Sequence, residues 1–205
     1  MKVLLINGSP HKNGCTNRAL CEVEKELNTN GIDTEILWIG TGSIHGCIAC
    51  GSCSVTKKCV FDDGVNEISE KMAECDGLVV GSPVYYSSAN GSLYSLLDRL
   101  FGICPDLAHK PAAAVVSARR GGTSSALDSI NKYFTIRQMP VVSSTYWNMV
   151  HGSTPEDVEK DEEGLQTMRN LGRNMAWLIK CINAGKDAGI EIPDAETGKR
   201  TNFIR

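Results

Sequence analysis

The chain has 205 residues, 41% of them hydrophobic, enough for one globular domain with a full core. A net charge of −3 offers no basic stripe for nucleic acid, and no apolar run approaches the length that spans a bilayer. The opening MKVLLINGSP breaks its apolar run at Asn7 and Gly8, so it reads as a buried strand entering a glycine turn and not as a signal peptide. A cytoplasmic location is expected, where nine cysteines imply metal, redox chemistry or plain burial in place of disulfides.

Apolar strands are predicted at Val3–Ile6, Thr34–Ile39, Gly77–Gly81, Ala112–Ser117 and Pro140–Thr145. Amphipathic helices are predicted at Thr16–Asn28, Val65–Cys75, Gly91–Phe101, Thr123–Phe134 and Asp161–Ala184. The nearly continuous apolar character of VLLI, LVVG and AAAVV fits strands covered on both faces, as in a parallel sheet. The alternation predicts an α/β domain over residues 1–184, doubly wound in three layers around a five-stranded parallel sheet. The tail 185–205 lacks periodicity and is expected to wrap the surface or a neighbouring subunit. Two connections exceed what a βα turn needs: residues 40–64, with a cysteine run, and 146–160, with Trp147 and His151.

Directly after the first strand comes Gly8 to Asn17 (GSPHKNGCTN), then a helix. Ligands of doubly wound folds sit beyond the carboxyl ends of the strands, with phosphate on a helix N-terminus. Ser9, Asn13, Thr16 and Asn17 offer short neutral donors there. No Gly-Lys-Ser/Thr closes a Walker loop and no GxGxxG is present. The second strand ends Leu37-Trp38-Ile39-Gly40, without the carboxylate that grips an adenosine ribose. A neutral hydroxyl-and-amide loop suits one terminal phosphate, as in FMN; the plainer reading is that Thr16 only caps the helix. The helix dipole is expected to lower the pKa of Cys15 at the same helix start.

The third strand runs into Gly81-Ser82-Pro83-Val84-Tyr85-Tyr86, a turn that offers an apolar platform and backbone N–H groups to a flat heterocycle. The fourth ends Ser117-Ala118-Arg119-Arg120-Gly121-Gly122, where the glycine pair permits close approach and an arginine opposes electron-rich ring edges. Each loop alone fits simple packing; three at strand ends imply one ligand site.

Cys47, Cys50, Cys53 and Cys59 fall within thirteen residues, CIACGSCSVTKKC. Two-residue gaps let sulfurs converge, and the five-residue gap lets the fourth close the set, which suits an iron–sulfur cluster or zinc. Packed thiols without metal are a third reading, and all three stay open at this point. His45, just before the run, reads as a solvated loop residue or a substitute ligand. Cys21, Cys75, Cys104 and Cys181 read as core or helix face. A Ser9 or Ser82 hydrolase with His151 is disfavoured, because no GxSxG elbow exists.

On these residues the chain resembles the flavodoxin-like NADPH-dependent FMN reductase family, and within it the iron–sulfur flavoproteins. The resemblance covers most of the chain: Gly8-Ser9-Pro10 through Thr16-Asn17, the cysteine run followed by Asp62-Asp63, Gly81 through Tyr86, and Ala118 through Gly122. It implies a flavodoxin-like fold and FMN with its phosphate near Ser9, His11, Asn13, Thr16 and Asn17. The isoalloxazine is implied near Ser82, Pro83, Val84, Tyr85 and Tyr86, and near Ser117, Ala118, Arg119, Arg120, Gly121 and Gly122. Cys47, Cys50, Cys53 and Cys59 are implied as ligands of a 4Fe–4S cluster. His11 departs from the arginine of many relatives, which makes phosphate neutralisation weaker or pH-dependent. The expected function is an FMN-dependent oxidoreductase that uses NAD(P)H to reduce flavin, quinone or a similar acceptor. The alternative is a flavodoxin-like electron-transfer relay without a small-molecule substrate of its own. No catalytic acid or base is named, since hydride chemistry belongs to the flavin. Expected partners are a redox substrate or electron carrier and further copies of the chain, as a dimer or tetramer, with neither nucleic acid nor membrane.

Overall fold

The computed structural model describes residues 1–199, 201 and 203. Strands β1 (Lys2–Asn7), β2 (Asp33–Trp38), β3 (Gly77–Tyr85), β5 (Ala112–Ala118) and β6 (Met149–His151) form a parallel sheet in the order β2-β1-β3-β5-β6. The two-residue strand β4 (Ser88–Ala89) folds back antiparallel on the end of β3. Helices α1 (Cys15–Thr29) and α7 (Glu162–Asp187) pack on one face, and α3 (Val65–Ala73), α4 (Gly91–Ile103) and α5 (Thr123–Ile136) on the other. Two short helices, α2 (Ser52–Thr56) and α6 (Pro155–Val158), lie in the long connections. No described helix is long and apolar enough to cross a membrane.

Alternate residues of the inner strands feed separate cores. Leu4, Ile6, Leu78, Val80, Ala112 and Ala114 belong to the cluster under α3, α4 and α5. Val3, Leu5, Val79, Ala113 and Val115 belong to the cluster under α1 and α7. Successive strand residues point to opposite faces, so an apolar side chain at every position is what double coverage demands.

The fifth strand is not where periodicity puts it. Residues Pro140 to Val142 touch the start of β5 through a single bridge, Val141 to Ala112, and the chain then leaves the sheet. It returns at Met149, opposite Val116. The polar part of the predicted strand bonds to α7 instead: Ser144 Oγ donates to the Thr167 carbonyl at 2.7 Å, and Asn174 Nδ2 donates to the Ser143 carbonyl at 2.9 Å. Those contacts draw residues 143 and 144 onto α7, while Pro140 and Val142 still bond Ala112 of β5. His151 consequently stands in β6 itself, and the long loop is 143–148 followed by 152–161.

Helix α7 lies close against α1 because Gly172 permits it. A Cβ there would stand 2.7 Å from Glu26 Cβ and 2.8 Å from the Val23 carbonyl oxygen. Ion pairs flank the contact, Arg169–Glu22 at 2.7 Å and Arg173–Glu26 at 2.8 Å. Burial alone would push the Glu22 carboxyl up, but hydrogen bonds from Arg169 and Arg18 outweigh it and hold the group below its usual range.

Gly172→Ala is expected to lower stability by about 1–3 kcal/mol through overpacking, read as a lower urea midpoint with unchanged slope. Glu22→Gln is expected to lower stability at neutral pH by about 1–3 kcal/mol. The folded carboxyl titrates below the unfolded one, so its contribution is present above about pH 4.3 and lost as pH falls through the folded value. The gap between wild type and Glu22→Gln, followed by urea melts across pH, should therefore close in acid and stay constant above neutrality.

Candidate active site

The loop after β1 is shaped by the buried side chain of Asn7. Its Oδ1 accepts the Ser9 N–H at 3.0 Å, and its Nδ2 donates to the Lys12 carbonyl at 3.0 Å and to Asn17 Oδ1 at 3.4 Å. Gly8 N–H donates to the Gly81 carbonyl at 2.8 Å, and a Cβ on Gly8 would lie 2.9 Å from that oxygen. Glycine is needed here for close approach, not for its φ. Asn90 caps α4 by accepting the Ser92 N–H and donates to the Gly8 carbonyl at 2.8 Å. Three elements thus hold the loop before any ligand arrives.

Helix α1 begins at Gly14 with no side-chain cap and no acidic residue in its first turn. Thr16 does not cap it: its hydroxyl pairs with Ser117 Oγ at 2.8 Å, across to β5. The first-turn N–H groups are left for a ligand, the arrangement that attracts an anion. Two hydroxyls sharing one hydrogen bond also keep one O–H to donate elsewhere.

A cleft of about 790 Å³ opens at the carboxyl ends of the strands. Of the residues expected to contact FMN, it gathers Ser9, His11, Asn13 and Thr16 on one wall and Pro83, Val84 and Tyr85 on another. Ser117, Ala118 and Arg119 complete it. The others lie outside its lining. Ser82 is fully buried, its hydroxyl donating to the Pro83 carbonyl and accepting the Asn90 N–H. Asn17 turns to Asn7 and to Cys21 Sγ. Tyr86 and Ser87, at φ 51° and 59°, form the left-handed corner of the β3–β4 hairpin, and the Tyr86 side chain is fully exposed. Arg120 and Gly121 are exposed. Gly122, at φ 91°, lets the hairpin approach α5, since a Cβ there would stand 2.8 Å from Ser87 Cα.

Sequence reasoning missed Lys12, Trp38 and residues 152–155, which also line the cleft. Trp38 Nε1 donates to the Ser9 carbonyl at 2.7 Å, and the Lys12 ammonium lies 5.8 Å over its ring. The indole stands at the end of β2, where a ribose carboxylate would be, and that position was its available signal. Residues 152–155 follow β6 and fall within the long 146–160 connection, where the sequence singled out Trp147 and His151 instead. His11, Lys12 and Arg119 line the cleft, and among the described residues no carboxylate does. Trp147 and His151 stay outside it. Cys15 does not carry the lowered pKa expected of it: burial, aided by the Asp157 and Glu156 carboxylates, pushes its thiol up.

The four clustered cysteines line one separate cavity of about 50 Å³, beside Phe61, Asp98 and Arg99. Cys47 and Cys50 are exposed, Cys53 and Cys59 half-buried. Hydrogen bonding by Ser52 holds the Cys50 thiol below its ordinary pKa. Among the described residues no three thiol, imidazole or carboxylate groups stand close enough to hold a metal ion. The donor chemistry, four cysteines around one cavity and no imidazole in its lining, still fits a thiolate-held centre. Ala49 and Gly51, in the exposed part of the run, are both left-handed at φ 53° and 74°. His45 is not in the lining; its ring stacks on Phe61 with centroids 4.4 Å apart.

Comparison with known proteins places these features. The family model described as NADPH-dependent FMN reductase matches residues 1–154. An iron-sulfur flavoprotein of Methanocaldococcus jannaschii is 36% identical over 191 residues, covering 89% of this chain and 99% of that protein. An iron-sulfur flavoprotein of Methanosarcina thermophila is 32% identical over 195 residues, covering 91% and 100%. In structure, an NAD(P)H:quinone oxidoreductase from Methanothermobacter marburgensis superposes with a TM-score of 0.65 at 17% identity, over 85% of this chain and 96% of that one. A flavodoxin from the domain Archaea gives 0.59 at 17% identity, over 88% and 99%. At such identities the solved structures show a shared flavodoxin-like fold, while the sequence matches carry the kinship. Fold, open helix terminus and sequence agree: the chain belongs to the NADPH-dependent FMN reductase family.

Proposed function

We propose that the chain is an FMN-dependent oxidoreductase that takes electrons from NAD(P)H and reduces a flavin, a quinone or a similar acceptor. The observation that carries this is the cleft at the strand ends, where an uncapped helix meets His11, Lys12 and Arg119 with no carboxylate among the described residues of the lining. Ser9, Asn13, Thr16 and the first-turn amides of α1 would hold the FMN phosphate, with Lys12 supplying positive charge and His11 a ring N–H donor. Pro83 to Tyr85 and Ser117 to Arg119 would flank the ring, Arg119 placing a cation near its electron-rich edge. Bound there, FMN supplies two-electron chemistry with a nicotinamide and one-electron chemistry with a carrier. The chain's part is to bind, orient and exclude water, and the buried Asn7 network performs the orienting before binding.

The cysteine run is proposed to hold a 4Fe–4S cluster through Cys47, Cys50, Cys53 and Cys59, supported by the shared cavity and the named relatives. A second reading is an electron relay without a small-molecule substrate. It is favoured by the exposed apolar rim of the thiol cavity, where Ile48 is 62% and Val60 55% exposed. A homo-oligomer belongs to the same proposal, and exposed Tyr146, Trp147 and Trp177 offer apolar surface for it.

Asn13→Asp keeps shape but puts a negative charge into the cleft, and is expected to weaken FMN binding by about ten- to a hundredfold, or 1.4–2.8 kcal/mol. Fluorescence titration of the flavin-free chain measures this, and unchanged affinity would place the phosphate elsewhere. Protein purified without oxygen should show flavin absorbance plus a broad shoulder that bleaches on reduction, with iron and sulfide present. Flavin without iron would remove the cluster and leave the FMN assignment standing. NAD(P)H oxidation in the presence of quinone or free flavin is expected; no turnover with any acceptor would favour the relay.

A further inference from the structure

Connection 40–64 is anchored to the body by one buried cation. Arg99 on α4 is only 3% exposed and lies beneath the cysteine loop. Its Nη1 and Nη2 donate to the two carboxylate oxygens of Asp63 at 2.6 and 2.7 Å, and Nη1 also donates to the His45 carbonyl at 2.9 Å. The third nitrogen, Nε, donates toward Cys59 Sγ at 3.1 Å. The Phe61 ring covers the guanidinium, 5.2 Å from centroid to Cζ. Asn66 pins the backbone of Cys59 on both sides, accepting its N–H at 2.8 Å and donating to its carbonyl at 3.0 Å.

A staple between loop and helix needs only the fork on Asp63. An N–H directed at sulfur does something more, because it stabilises a thiolate and tunes the potential of whatever that thiolate ligates. Asp63 balances the guanidinium charge, so the directional hydrogen bond is what the sulfur feels. The four thiols are also unequal: Cys59 is fixed from the buried side, whereas Cys47 and Cys50 lie on the exposed side beside left-handed Ala49 and Gly51. We propose that Arg99 is a positioning residue of the cysteine centre, holding Cys59 as the fixed ligand by an Nε–H···Sγ hydrogen bond that persists when metal is bound. Cys47 and Cys50 then close onto that fixed point. The inference rests on reading the run as an iron–sulfur site.

The test uses the holoprotein labelled with ¹⁵N in the arginine guanidinium. Pulsed EPR of the reduced cluster is expected to show a ¹⁵N coupling that unlabelled protein lacks. Arg99→Lys keeps the charge but loses the planar fork. It is expected to abolish the coupling and to lower the ratio of reduced to oxidised cluster at a fixed potential about tenfold, 59 mV for one electron. Iron-loaded wild type without a ¹⁵N coupling overturns the proposal, whether or not Arg99→Lys folds. An unchanged potential in iron-loaded Arg99→Lys overturns it too. Wild type that carries flavin but no iron overturns the iron–sulfur reading, and the role of Arg99 with it.

Discussion

The buried amide of Asn7 is the junction on which the cleft depends. It ends the first strand, and its carbonyl and amino groups together set the path of the loop from Ser9 to Asn17. A buried amide left unpaired is costly, so the loop conformation that satisfies it is strongly selected. Through that loop the same side chain positions the Ser9 carbonyl that receives the Trp38 indole, and so ties β2 into the site. A hydrophobic residue at position 7 would suit the strand and leave the loop undirected.

The cleft also shows how a chain of modest negative charge can present an anion site. Net charge is a property of the whole surface, whereas a bound phosphate feels the groups within a few ångströms. Here the groups beside the helix start are the open amides of α1, the Ser9 and Thr16 hydroxyls and the His11 and Lys12 side chains. An Asp or Ser cap on α1 would have satisfied one of the N–H groups that Gly14 leaves open toward the cleft.

The cysteine connection follows a different logic. Its inner edge is held by Arg99, Asp63 and Asn66, and its outer edge, with Cys47 and Cys50, is exposed. Cys59 is thereby fixed from within, whereas Cys47 and Cys50 lie at the surface. Cys21, Cys75 and Cys104 have their thiols pushed up by burial, which suits plain packing.

The three-layer architecture and the first four strands were legible from local patterns, because apolar runs such as VLLI and AAAVV state double coverage wherever they occur. The phosphate loop and the four-cysteine run were legible for the same reason: their residues are adjacent in the chain. The fifth strand was not, since Ser143 and Ser144 chose partners on α7 that no window around them reveals. Nor were the role of Thr16, whose hydroxyl meets Ser117 across 101 residues, and the entry of Trp38 into the cleft. The sequence by itself determined the layers, the candidate loops and the family. The tertiary structure decided which of the named residues face the cleft, and that Arg99 reaches a sulfur 40 positions away. Periodicity is a property of neighbours along the chain, whereas a hydrogen bond between distant side chains exists only once the packing has brought them together.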